Sequence, residues 1–207
     1  MPLIAKEGLR QDPIPDGTHH AVCYSIVDLG TQPPLPHSKY PKKEHKVRIT
    51  WELPEERREF DTNDGVHVNK PQVIGQEYTL SLNEKAKLRR TLESWRARKF
   101  SAEELAGFDL AKVLGANCLL TTFTDERGYS QIGAVSALTK LIPKREPENA
   151  PVYFALDDHP LGMPLPDTLP EWLRNKIMQS DEWKARDSSG YGRDDGEPPP
   201  HDDDIPF

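Results

Sequence analysis

The chain has 207 residues, 35% hydrophobic and 29% charged, with a net charge of -7. Its mean hydropathy of -0.73 points to an ordered body with solvated appendages, large enough for one domain or one and a half around its own core. No apolar run approaches the ~20 residues of a membrane span, no secretion signal is expected at the N-terminus, and Cys23 and Cys118 form no CxxC pair. A disulfide framework and a thiolate zinc site are thereby excluded, and a reducing cytoplasm is expected.

The charge is uneven. Residues 187–207 hold seven acids and one base, so they carry -6 of the -7 and leave the body close to neutral. They are rich in Gly, Pro, Ser and Asp and nearly empty of core-forming residues, the composition of a disordered interaction tail. The 20 prolines are about twice the usual share and mark breaks between elements.

In chain order, residues 20–29 (HAVCYSIVDL) alternate and are rich in Val, Ile and Tyr, which predicts a strand. A loop follows to Pro41. Residues 45–53 (HKVRITWEL) predict a second strand, with Val47, Ile49, Trp51 and Leu53 on one face and Lys46, Arg48, Thr50 and Glu52 on the other. A charged insertion ends in the turn signal Asn63-Asp64-Gly65. Residues 73–82 predict a third strand, with Gly75 as a bulge. The period then changes. Ser81 and Glu84 read as a capping box for a helix over 84–99 carrying Leu88, Leu92 and Trp95. Ser101 and Glu104 form a second capping box. Asp109 opens a short turn that Gly115 ends. Residues 117–124 and 129–141 predict two more strands.

The order β-β-β-α-β-β predicts a mainly β fold with helices, an OB-fold-like five-stranded barrel with its helix between strands three and four. Residues 1–149 would form this domain. Residues 150–186 read as a helical appendix packed on the barrel or on a second subunit. In it Tyr153, Phe154 and Leu156 suit a short strand, Pro170 starts a helix with Trp172, Leu173 and Ile177, and Ser180 caps a last turn with Trp183.

Residues 37–48 (HSKYPKKEHKVR) hold Lys39, Lys42, Lys43, Lys46 and Arg48, interleaved with His37, Tyr40 and His45, against Glu44 alone. Cations track phosphates and rings stack on bases, so this composition suits single-stranded nucleic acid, as does its place between strands one and two of an OB-fold. Among aromatics able to stack, Tyr40 and Tyr129 lie in or beside loops and are favoured over Tyr78 and Phe123. Trp51 shares its face with Val47 and Ile49 and reads as core, with Tyr24 ambiguous. Arg127 lies in the loop between strands four and five. The helix over 84–99 carries seven bases (Lys85, Lys87, Arg89, Arg90, Arg96, Arg98 and Lys99), which suit a second phosphate track, a docking site for the acidic tail or simply a solvated face.

No P-loop, GxSxG or HExxH occurs, the histidines lack metal-ligand spacing, and His19 and His20 point to opposite faces of a strand. Glu55, Glu56, Glu59, Asp61 and Asp64 read as solvated loop carboxylates rather than a nuclease site, and Cys23 and Cys118 as core. No enzyme, cofactor or metal is expected.

The last six residues, Asp202-Asp203-Asp204-Ile205-Pro206-Phe207, resemble the C-terminal tip of bacterial single-stranded DNA-binding proteins. In that family the tip docks replication, recombination and repair enzymes. The chemistry agrees: a terminal ring and carboxylate suit an apolar pocket with a basic lip, and the aspartates steer the approach. The body looks more like phage-encoded single-stranded DNA-binding proteins, which pair a divergent OB body with an acidic tail. The resemblance implies a sequence-tolerant binder of single-stranded DNA in the cytoplasm of a bacterial host, recruiting partners through 202–207. Two other readings are an adaptor or decoy whose tail captures host enzymes without DNA binding, and a strand-annealing mediator.

Overall fold

A computed structural model describes residues 13–34, 41–61 and 67–190. Strands β1 (Gly17–Gln32), β2 (Glu44–Asp61) and β3 (His67–Thr79) come first, then helices α1 (Lys87–Arg96) and α2 (Ala102–Ala106) and a 3-10 turn at Leu110–Val113. Strands β4 (Asn117–Thr124), β5 (Ser130–Ala137) and β6 (Val152–Phe154) follow, then helices α3 (Glu171–Met178) and α4 (Asp181–Gly190). The strands form one sheet in the order β3-β2-β1-β4-β5, with β6 also paired to β1. All pairings are antiparallel except β6 with β1. The expectation of a mainly β protein with a few helices is met. The sheet is open, however: β3 and β5 are not hydrogen-bonded neighbours.

β1 serves two cores, and a bulge explains how. Its first residues pair with β4 (Gly17↔Thr122 to Val22↔Asn117), and its later ones with β2. Cys23 faces Trp51 and Ser25 faces Thr50, so Tyr24 is an extra residue. One extra residue exchanges the two faces of a strand. Ala21 and Cys23, then Ile26, therefore join the main core with Val47, Ile49, Trp51, Leu53, Leu88, Leu92 and Trp95. Val27 and Leu29 point the other way, into a second core with Phe154, Leu156, Leu165, Leu169, Leu173 and Ile177. Residues of the 150–186 segment thus pack on β1 and add a strand of their own.

Several boundaries differ from expectation. The charged insertion is strand: β2 runs on to Asp61 and β3 begins at His67, so the two form a long hairpin. Its irregularity lies in β2, between Leu53 and Arg57, and not at Gly75, which pairs regularly with Thr50. Ser81 does not cap α1. Its Oγ accepts from Asn83 N at 3.2 Å, a local turn, and the helix begins after Ala86 without a side-chain cap. Lys85 thus precedes α1. Leu88, Leu92 and Trp95 are buried as the spacing requires. The second capping box is present in full, Asp109 accepts from Ala111 N, and Gly115 follows at φ +74°. β5 stops at Ala137, before the exposed Leu141. Pro170 occupies the N-cap of α3, and Trp183 N donates to Ser180 Oγ at 3.2 Å. α4 continues to Gly190, past the Asp187 boundary expected for the tail. Among the described residues no helix is long and apolar enough to cross a membrane.

Candidate nucleic-acid interface

The β4–β5 hairpin is built by one carboxylate. Asp125 Oδ1 accepts from Arg127 N at 3.0 Å and from Tyr129 N at 2.9 Å, while Oδ2 accepts from Gln131 Nε2. The Tyr129 N–H, then burial in opposition, and the Arg127 N–H set its pKa below the usual carboxylate value. Gly128 takes φ +82°, which the tight return requires. Asp125 is thus a framework acid, and it presents Arg127 and Tyr129 to solvent. Tyr129 is 65% exposed and Phe123, just before the hairpin, 47%. Phe123 rests on Gly133 of the neighbouring strand, where an added Cβ would sit 3.4 Å from its ring. The Phe123 ring is seated against Gly133, and both rings keep much of their surface open.

Beside this hairpin, a cleft of about 280 Å³ separates β3 from β5. It is lined by Arg48, Ile74, Gln76, Glu77, Gln131 and Ile132 among others. Arg48 lies flat across Gly75: a Cβ there would meet Nη2 at 2.6 Å. Trp172 of α3 covers the guanidinium, with Arg48 Cζ 4.8 Å from the ring centroid. Burial pulls the Arg48 pKa down, against the pull of Glu77, whose carboxylate is 3.9 Å away. Lys176 of α3 donates to Glu77 at 2.6 and 2.7 Å.

The other expected cations lie towards the Gln32 end of β1 and do not line this cleft. Lys42 is exposed. Lys43 donates to both carboxylate oxygens of Asp181 at 2.8 Å. Lys46 is paired with Glu44 and donates to Thr79 Oγ1 at 2.9 Å. His45 Nε2 lies 2.6 Å from Asp28 Oδ1, and its Nδ1 lies 3.6 Å from Glu182. Glu182 also accepts from Thr31 N at 2.6 Å and Thr31 Oγ1 at 2.5 Å. Gly30, at φ +67°, permits this approach: an added Cβ would sit 2.6 Å from Ser180 Cβ. Lys39 and Tyr40, and the tip Asp202, Asp203, Asp204, Ile205, Pro206 and Phe207, lie outside the described residues.

The structure therefore brings Arg48, the strand after Tyr129 and the β4–β5 hairpin to one cleft, and sets Lys42, Lys43 and Lys46 apart from it. Tyr78 is a core residue, 2% exposed, so it is no stacking platform. Trp51 is core as expected, and both cysteines are buried, the Cys23 thiol being pushed up to about 12. Sequence reasoning missed the Gly75–Arg48–Trp172 stack, which joins residues about a hundred positions apart and leaves no periodic trace. His19 and His20 do face apart: His19 meets Glu56 at 2.8 Å and His20 meets Asn117 at 2.7 Å. Glu55 pairs with Arg145, and Glu55 and Glu56 lie in strand β2 rather than a loop, while Asp64 lies outside the described residues. Among the described residues, no group of three His, Cys, Asp or Glu side chains is placed to hold a metal.

No family model, no curated protein and no solved structure matches the chain.

Proposed function

We propose that the chain is a non-catalytic, sequence-tolerant binder of single-stranded DNA, built on a divergent OB-type sheet. The hairpin carries this reading: Phe123 and Tyr129 hold half-open rings beside Arg127, next to a polar cleft that contains Arg48. Rings with open faces and neighbouring cations suit bases and phosphates of a single strand, whatever its sequence. The strand order β3-β2-β1-β4-β5, with α1 between β3 and β4, supports the OB assignment, with β3 and β5 flanking the opening. In this reading the segment 202–207 recruits replication, recombination or repair proteins. The test is fluorescence anisotropy of a labelled oligo-dT of roughly 30 nucleotides against its duplex at two salt concentrations. Strong preference for the single strand, with a log-log salt slope of ~-0.7 per neutralised phosphate, is the expected result. No binding to either would refute the reading.

One observation favours an adaptor that does not bind DNA. Lys43 is held by Asp181, and Arg48 lies under Trp172, so the protein itself occupies these cations. Arg127→Glu, in the hairpin that carries the reading, separates the two. It weakens binding of single-stranded DNA in the DNA-binding reading and leaves an adaptor intact.

A further inference from the structure

Helix α3 turns one pair of side chains inward and another onto the sheet. Leu173 and Ile177 are four residues apart and enter the second core, 4% and 0% exposed. Trp172 and Lys176 are also four residues apart, so they share the neighbouring face of the helix. Both reach the β2–β3 surface. Lys176 Nζ donates to the Glu77 carboxylate at 2.6 Å, and the Trp172 ring covers the Arg48 guanidinium, whose Cζ lies 4.8 Å from the ring centroid. Arg48 and Glu77 are themselves cross-strand partners. The buried pair fixes the helix, and the helix fixes the ring.

Trp172 nevertheless keeps 51% of its surface exposed. Arg48 occupies one face of the ring, so the exposed area lies on the other face and the outer edge. The surroundings are polar, with two cations, Arg48 and Lys176, against one carboxylate, Glu77. A ring that anchors a protein partner sits in a well-packed, desolvated pocket. A nucleobase needs only an open ring face, with a cation near its phosphate. The position is also continuous with the β4–β5 hairpin. The cleft between β3 and β5 is lined by Arg48, Gln76 and Glu77 from β2 and β3 and by Ser130 and Gln131 from β5, and Tyr129 directly precedes Ser130.

We propose that Trp172 is a base-stacking platform outside the OB-type sheet, which makes α3 part of the DNA site. One base of a single strand stacks on the open face of the ring while Arg48 holds the opposite face. Arg48 and Lys176 attract the neighbouring phosphate, and the strand continues across the β3–β5 cleft to Tyr129. This rests on the reading of the chain as a binder of single-stranded DNA, and extends it to a segment that the order β-β-β-α-β-β does not include.

The test titrates the full chain and its Trp172→Ala variant with labelled oligo-dT of roughly 30 nucleotides, by anisotropy at several salt concentrations. In parallel, oligo-dT carrying 5-iodouracil is cross-linked to the wild-type chain by irradiation, and the adducts are mapped by mass spectrometry. Loss of one stacked base should weaken binding at least about fivefold. Trp172→Phe should recover most of that loss, because a ring remains, and adducts should include Trp172. The log-log salt slope of the alanine variant should match that of the wild type, since no cation is removed. A shallower slope would show that the ring acts only by holding Arg48, and would overturn the proposal. Urea denaturation checks the fold of the alanine variant; should it fail to fold, the cross-link at Trp172 in the wild-type chain decides alone. With wild-type binding intact, an affinity unchanged within about twofold, or adducts at Phe123 or Tyr129 with none at Trp172, would overturn the proposal and leave the hairpin reading standing. No binding by the wild-type chain would overturn both.

Discussion

Replacing Phe123 and Tyr129 together by alanine tests the proposed DNA interface where structure and function are best separated. Base–aromatic stacking contributes about 1–3 kcal/mol per base. Two rings that each hold one base should therefore cost about 2–6 kcal/mol, a loss of at least thirtyfold in affinity for single-stranded DNA. The fold should barely respond. Tyr129 is 65% exposed and Phe123 47%, so little apolar area leaves the protein interior, and surface changes of this kind stay within roughly 1 kcal/mol. Trp51→Ala is the contrasting control. That ring is fully buried and packs 5.6 Å from Trp95, and truncating a buried Trp costs about 3–5 kcal/mol of stability. Anisotropy titrations and urea denaturation, run on the same preparations, read the two effects independently. A double variant that keeps its affinity within about twofold would refute the assignment of these rings as base platforms. A double variant that loses stability in step with affinity would show them to be packing residues.

Two further predictions concern the attachment of α4. Gly30→Ala places a Cβ 2.6 Å from Ser180 Cβ and 2.8 Å from Glu182 Oε2, at a φ of +67°. Left-handed strain of about 1–2 kcal/mol adds to overpacking of about 1–3 kcal/mol, and urea denaturation should lose about 2–5 kcal/mol; a change within about 0.5 kcal/mol would show that the contact is not tight. The second concerns pH. Its hydrogen bond with Asp28, against the opposing effect of burial, raises the His45 pKa above the ordinary value. Its contribution is therefore full below ~6.5 and is lost as pH rises through the raised value. Burial pushes Asp28 and Glu182 upwards, but the hydrogen bonds of His45 and of Thr31, respectively, outweigh it and leave both lowered. Their contribution is present above ~4 and is lost as pH falls through those lowered values. The attachment is thus firmest at mildly acidic pH. The fluorine NMR signal of 5-fluoro-labelled Trp183 should move as pH rises past the His45 transition, and His45→Gln should abolish that movement. An unchanged pH response in the variant would exclude His45 as the cause.

The elements that were readable in the sequence are those that local rules determine. The alternation of Val47, Ile49, Trp51 and Leu53 gave β2 its buried face, and Leu88, Leu92 and Trp95 gave α1 its own. The capping box at Ser101 needs only four residues. Errors arose where a nearby alternative existed. Ser81 bonds to Asn83 two residues on, which competes with capping a helix. The acid-rich continuation of β2 reads as a loop until its partner is known, and its strand state comes from pairing with β3 across Arg57↔Pro71 to Asp61↔His67. The candidate site was readable in part. Tyr129 and Arg127 were marked by their place beside a turn. That Lys43 is held by α4, and that Gly75 makes room for Arg48 beneath Trp172, are long-range facts that no local pattern encodes.

The two C-terminal helices are attached by different physics, and this difference bears on the segment beyond them. α3 contributes Leu173 and Ile177 to the second core, where both are almost completely buried. Removing it would expose that core, which makes α3 a permanent part of the body. α4 has Trp183, only partly buried, as its one large apolar side chain among those described. It is held instead by polar contacts: Asp181 to Lys43, Glu182 to Thr31 and His45, and Arg186 Nη1 to His159 O at 2.7 Å. Of these, the Lys43–Asp181 pair is exposed, and such a pair is individually weak and screened by salt, whereas apolar burial is not. α4 should therefore loosen well before α3, under salt or pH changes that leave the sheet intact. Any such loosening also frees Lys43, at the end of β1 where the expected DNA-binding lysines lie.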